Sequence, residues 1–344
     1  MWKDKQVEES RKVQFTGGST YIISLPKKWI SQNQIGKGSF IKLREGDGGL
    51  LTIVPPSAVS QKKLDEAIIT VDSNAGSETI TRKLVSAYLA GYNSIHIKAD
   101  SQHFSNRQRY EMKNFVRSML VGTEIVSDTS SQLIFQVLLS YPELTIQSAL
   151  RRMTIITTSM HNDAVIAIRT RHEELANDVV SMDNEVDRFN LYVTRLLKTA
   201  IYNPRIIKDI GLDNANDCLG YRVLIKYVER TADHAVNIAE NVATLKNVQN
   251  DTIQKIEKMS TVAITMFGTA MESLFRKDYN AAEKIMQDIK EIKRLEKEAI
   301  LSSQLDAEDG TILRLIIESV KRTAEYACDI AEIVLNLTVD SILV

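Results

Sequence analysis

Residues 221–242, YRVLIKYVERTADHAVNIAENV, and residues 313–334, LRLIIESVKRTAEYACDIAEIV, align without a gap and agree at half of their positions. Both contain Arg-Thr-Ala and, farther on, Ile-Ala-Glu. A weaker echo relates Glu185-Val186-Asp187-Arg188 to Glu291-Ile292-Lys293-Arg294. The spacing of apolar residues within each stretch is helical. A duplicated helical unit of about ninety to a hundred residues is the economical account, because repeated units with the same apolar stripe bury that stripe against one another.

The surrounding sequence agrees. After Pro142 only Pro204 remains, and helical spacing predicts helices near 144–170, 173–202, 214–245, 252–276, 279–303 and 311–341. Short loops between them make neighbours antiparallel. The expected units are 143–246 and 250–344.

Upstream the pattern differs. Residues 62–140 alternate strands (67–71, 95–98, 124–127, 133–138) with helices (78–90, 107–120). This β-α-β-α-β-β order suggests a small sheet with helices on one face, read as a spacer or dimerisation module. It contains no phosphate-binding glycine loop and no nucleophile motif. Residues 1–58 read as short strands at 12–15, 21–25, 40–44 and 50–54, with a helix near 27–34 opened by Pro26. A hairpin is expected around Gly46-Asp47-Gly48-Gly49. A unit of this size buries little core alone, so a homodimer with interleaved strands is expected. The fold class is thus multidomain α+β: a β-rich head, a small α/β middle and a tandem three-helix tail.

Charge is unevenly placed. The whole chain has a formal net charge of −1, yet up to Val54 nine basic residues face five acidic ones. Arg11, Lys12, Lys27, Lys28 and Lys42 flank the strands or the short helix, where a dimer would double them into a basic surface for DNA phosphates. Ordinary solubilising lysines are the plainer alternative. The two cysteines, Cys218 and Cys328, are far apart and form no ligand pair. The N-terminus has no apolar signal core, and no apolar run is long enough to span a bilayer. A cytoplasmic chain without membrane insertion is expected.

The tail carries the pattern most suggestive of chemistry. Residues four apart share a helix face, which places Asp183 with Asp187, and Glu229 with Asp233 and Asn237. Two adjacent helices would present four carboxylates, and such a group needs a cation or a proton to coexist. Oxygen-rich sets suit Mg²⁺, Mn²⁺ or iron. Solvated acidic faces with the same spacing are common. The second repeat has Ile289, Lys293 and Lys321 where the first has Asp183, Asp187 and Glu229, so any metal belongs to the first repeat. His234 points about 100° away from Asp233 around the helix and is expected to be structural. No Glu-x-x-His pair of the ferritin-like kind is present, and no enzymatic activity is expected.

Two stretches resemble known families. VERTADHAVNIAE (228–240) and MDNEVDRFNLYVTRLL (182–197) are similar to the acidic helices of PhoU proteins, which are built from two three-helix repeats. That resemblance implies regulation of phosphate uptake with phosphate ABC transporter components as partners. It also implies divalent or iron-type metal ions on Asp183, Asp187, Glu229 and Asp233, with Asn237 and Glu240 as further ligands. The head, through Ser24-Leu25-Pro26-Lys27-Lys28-Trp29 and Gly36-Lys37-Gly38, resembles AbrB/SpoVT/MazE-type swapped-hairpin domains, which bind DNA as dimers. Such a head fused to such a tail is similar to archaeal PhoU-like regulators. The implied function is a DNA-binding regulator of phosphate homeostasis whose tail senses metal, phosphate state or a transporter partner. A protein adaptor that represses the transporter without touching DNA is the rival reading.

Overall fold

The computed structural model describes residues 9–46, 49–56, 66–72, 74–101, 103–139, 144–245, 248–302 and 307–343. The expected boundaries at 58, 62, 140, 143 and 246, and the turn residues Asp47 and Gly48, lie outside them. The chain divides into two compact units, residues 1–63 and 64–344.

The first unit contains two hairpins and one short helix. Strands β1 (Gln14–Thr16) and β2 (Thr20–Ile22) pair antiparallel around Gly17 and Gly18, both at positive φ, which glycine adopts without steric cost. Phe15 stands opposite Tyr21, with ring centroids 5.1 Å apart. Helix α1 (Lys27–Gln32) follows Pro26. Strands β3 (Lys42–Gly46) and β4 (Leu50–Val54) form the second hairpin. Among the described residues of this unit, none is buried. Phe15, Tyr21, Phe40, Leu43, Leu50 and Leu51 are all more than half exposed. Two-stranded hairpins with their apolar side chains in water are marginal alone.

The second unit opens with the α/β layer. Strand β5 (Glu66–Val71), helix α2 (Ser77–Leu89), β6 (Ser94–Ala99), helix α3 (Asn106–Met119), β7 (Thr123–Asp128) and β8 (Gln132–Val137) follow in order. The sheet order is β5-β6-β8-β7, parallel between β5 and β6 and antiparallel elsewhere. Period-two alternation decides which side chains face the helices. Val71, Ile95, Ile97, Leu133, Phe135 and Val137 are buried against Ile80, Leu84, Tyr88, Met112 and Val116. Ser105 and Gln108 close a capping box at the start of α3, which satisfies two otherwise orphaned amides.

The tail is six helices: α4 (Ile146–Thr170), α5 (Glu173–Tyr202), α6 (Asp217–Glu240), α7 (Asn250–Arg276), α8 (Tyr279–Ser302) and α9 (Ala307–Thr338). Helices α4–α6 pack together, as do α7–α9, and the two bundles join along α6–α9 and α4–α7 in one continuous core. The duplication shows in backbone detail: α4 ends at Arg171 and α7 at Lys277, each left-handed with φ 54. Helix α6 starts later than its periodicity predicts. The Asn214 carboxamide accepts the amides of Asn216 and Asp217, and the Asp217 carboxylate accepts those of Asp213 and Asn214. Side-chain acceptors there hold a turn in place of a helical one.

The shared Arg-Thr-Ala now has a physical account. Thr231 and Thr323 are fully buried, on the two helices that join the repeats. Each hydroxyl donates one turn back, to the Tyr227 carbonyl at 2.8 Å and the Ser319 carbonyl at 3.0 Å. His161 of α4 enters between them. Its Nε2 lies 2.8 Å from the Thr231 carbonyl and 3.3 Å from the Thr323 hydroxyl. A carbonyl only accepts, so Nε2 carries the proton, and the buried Nδ1 has no partner.

Candidate functional site

The acidic residues meet where α5 and α6 pack. Glu229 is buried, and Asp183, Asp187 and Asp233 are half-buried. Their apolar neighbours on α6, from Tyr221 through Leu224, Val228, Ala232, Ala235 and Ala239, lie in the core, which holds the acidic faces at the seam instead of in open water. Burial, reinforced by the charges of Asp187, Asp233 and Glu229, pushes the Asp183 carboxyl up to about 7. Burial, and next the Glu229 charge, raise Asp233 to about 6. The same two causes raise Asp187. These are the responses expected of clustered like charges in a partly dry site.

One cation already stands there. The Lys226 ammonium bonds both carboxylate oxygens of Glu229 from the preceding turn. Spacing arguments centred on acids missed it, although a lysine three residues before a glutamate is a recognisable helical pair. Asp183 Oδ1, by contrast, is buried without a hydrogen-bond partner. The donors are hard oxygens, the class that hard divalent cations take, and the unpartnered Asp183 Oδ1 is of the kind a cation would accept as a ligand. As arranged here, however, no three acidic, histidine or cysteine groups among the described residues converge as metal ligands. Ligation would need the Lys226–Glu229 pair to open.

Asn237 and Glu240 are exposed. Glu240 instead lines a small cavity of about 230 Å³ with Glu173 and Asn177. In the second repeat Lys321, the counterpart of Glu229, sits 3.1 Å from Glu296 of α8. An ion pair therefore occupies the place of an acidic cluster. His234 lies with its ring 5.7 Å from that of Tyr326, away from the acids.

A further residue escaped sequence reasoning. Arg195 of α5 is buried, with its guanidinium 4.8 Å over the Tyr88 ring. It donates to the Tyr88 carbonyl, to the Gly91 carbonyl at 3.2 Å and to the Asn93 carboxamide oxygen at 3.0 Å. The acceptors cluster at the C-terminal end of α2, where the helix macrodipole favours a cation. The helix that carries Asp183 and Asp187 thereby also anchors the α/β layer.

On the head, Arg11, Lys12, Lys27, Lys28 and Lys42 are all exposed. Arg11 is paired with Glu9. Lys27 and Lys28 occupy the first turn of α1.

The PhoU domain model matches residues 150–242 and 256–334, one match on each three-helix bundle. The chain belongs to the PhoU family. A second model, the MazE antitoxin domain described as antidote-toxin recognition, matches residues 14–61, so an AbrB/MazE-like head precedes the PhoU repeats. Among curated relatives, the phosphate-specific transport system accessory protein PhoU homolog 1 of Thermotoga maritima is 24% identical over 212 residues. The match covers 57% of this chain and 87% of that protein. The crystal structure of PhoU from Pseudomonas aeruginosa superposes with a TM-score of 0.50 at 19% identity, covering 57% of this chain and 96% of that one. The fold of the PhoU tail is thereby shared. Among the described residues, no helix is long and apolar enough to cross a membrane.

Proposed function

We propose that this PhoU-family chain regulates phosphate uptake, binding DNA through a homodimeric head and sensing a ligand state or a transporter partner through its tail. The observation that carries the DNA-binding half is the head itself. Its described residues bury nothing, its apolar side chains stand in water, and its five cations are exposed beside them. A second head covering the apolar side would form the missing core and double the cations on one surface. Membership of the PhoU family, and the relative named as an accessory protein of phosphate-specific transport, support the phosphate half.

The tail's part in this reading rests on the α5–α6 seam. Asp183, Asp187, Glu229 and Asp233 would receive a divalent cation once Lys226 releases Glu229, and binding would offset the burial and mutual repulsion that now raise the Asp183 and Asp233 carboxyls. Arg195, two turns farther along α5, would pass a shift of that helix to the α/β layer. No chemical step on a substrate is required.

The deciding experiment is a fluorescence-anisotropy titration of the full chain against a duplex from the region upstream of phosphate-transport genes, at low and moderate salt. If eight cations of a dimer contact phosphates, affinity falls by roughly 10³-fold or more between 50 and 200 mM salt. Lys27→Ala/Lys28→Ala should weaken binding and flatten the salt slope. Absence of binding by a folded chain at low salt overturns DNA recognition. It would move the reading to the adaptor, for which the relative's name as an accessory protein of phosphate-specific transport is the support.

A further inference from the structure

The two edges of the α/β sheet are treated differently by the sequence. Strand β7 carries a β-bulge between Ile125 and Ser127, and its last residue, Asp128, is tied to Arg109 at 2.6 Å and Lys113 at 3.0 Å. Bulges and charges are the usual means of stopping an edge from pairing with another chain. Strand β5 has no bulge, and its charges are confined to its ends, Glu66 at its start and the Lys83 ammonium on the Thr70 carbonyl. Glu66-Ala67-Ile68-Ile69-Thr70-Val71 is regular along its whole pairing with β6, contains no proline, and presents Ile68 62% exposed. Among the described residues no strand pairs with its outer side. A groove of about 610 Å³ runs beside it, floored by Ala67 and Ile69 and walled by Thr79, Arg82, Lys83 and Ser86 of α2 and by its cap Ala90.

Hydrogen-bond direction shows which groups are free. The Val71 carbonyl accepts from Asp100, just beyond β6, so Val71, Ile69 and Ala67 point inward and Glu66, Ile68 and Thr70 point out. The Thr70 carbonyl confirms this, because its partner is the Lys83 ammonium at 3.2 Å and no strand.

We propose that β5 is a self-pairing edge: two copies of this chain join antiparallel across a twofold axis at Ile68, making one eight-stranded sheet. The parity works without adjustment. With Ile68 opposite Ile68 of the second copy and Glu66 opposite its Thr70, every outward amide and carbonyl of these three residues meets a partner. All paired side chains then share a face, as antiparallel pairing demands. A self-complementary patch of this kind is what a twofold dimer requires. Helix α2 fits the same axis. Along the groove, Thr79 and Ser86 of α2 and its cap Ala90 are short, while the longer Arg82 and Lys83 turn aside for a second α2, and exposed Glu78 and Arg82 offer each copy an acid for the other's base. Strand and helix are each about 20 Å long, so the joint buries on the order of 1,000 Å², near the lower bound for a specific interface. Lys83 caps one outward carbonyl in the single chain and swings off when the edge is paired. The pairing does not depend on the head: a chain whose head never dimerises would still form it.

The test is disulfide trapping in the full chain. In a hydrogen-bonded antiparallel pair the Cα atoms lie about 5.5 Å apart, within disulfide reach. Ile68→Cys should give a covalent dimer under mild oxidation, while wild type, whose Cys218 is buried and Cys328 half-buried, should not. Glu66→Cys and Thr70→Cys should each stay monomeric on a non-reducing gel, and their mixture should give the mixed dimer. Val126→Cys, exposed on the opposite edge, is the collision control. No cross-link from Ile68→Cys whose thiol still reacts with maleimide overturns the proposal. So does equal cross-linking at Val126→Cys, or cross-linking by Glu66→Cys alone.

Discussion

At the scale of single residues, two groups respond to protons in opposite senses. Asp183 has a folded-state pKa of about 7, raised above its ordinary 3.8. The native state therefore holds the proton more tightly, and this contribution to stability is full below about pH 4 and lost as pH rises through 7. His161 runs the other way. Burial lowers it from 6.5 to about 4, so its contribution is full above pH 6.5 and lost as pH falls through 4. Between pH 4 and 7 the two offset each other. Asp183→Asn removes one side of that balance. We expect a gain at pH 8 of at most about 1 kcal/mol, because the carboxyl keeps partial contact with water, and a steeper loss of stability on acidification. Urea unfolding at pH 5, 6.5 and 8 measures both, and an unchanged pH profile would contradict the repulsive cluster. Divalent cations should raise the melting temperature of wild type more than that of Asp183→Asn, and equal shifts would place the binding elsewhere.

At the scale of elements, α5 is the organising piece. One face meets α6 at the acidic seam, and about two turns beyond Asp187 Arg195 docks α2 and the sheet. Replacing it with Met leaves buried carbonyls at the end of α2 without their donor, and each unsatisfied buried group costs about 1–3 kcal/mol. We expect Arg195→Met to destabilise by about 3 kcal/mol. Hydrogen exchange should quicken in residues 77–99 more than in α7–α9. Uniform exchange throughout would mean that the layer is held by other contacts. The helices themselves were legible in the sequence: α5 spans the same residues as its periodicity predicts, because an amphipathic helix in a bundle shows its buried stripe directly. The docking role of Arg195 was not. An arginine among leucines on a helix reads as a surface residue until the carbonyls it meets, more than a hundred positions earlier, are brought beside it.

At the scale of the whole molecule, the head and the remainder differ in how they are stabilised. The unit from residue 64 onward has a continuous helical core and a second core beneath the sheet. The described head has none, so its order is expected to depend on a second chain. Leu51→Asp, on an exposed face of β4, should abolish DNA binding at low salt while leaving the helical circular dichroism of the tail intact. Retained binding would show that a lone head suffices.

Periodicity, duplication and charge order were enough to set the three-part layout, the two three-helix repeats and the acids of α5 and α6, because each depends on residues near one another in the chain. Which acids share a site was a different matter. Asp183, Asp187, Glu229 and Asp233 come together, whereas Glu240 lines a separate cavity, although all lie on plausible faces. That selection, together with Lys226 standing among the carboxylates, His161 between the duplicated threonines and the open edge of β5, was decided by tertiary structure. The physical reason is that local sequence sets the face of an element, whereas only packing sets what that face meets and how dry the junction becomes.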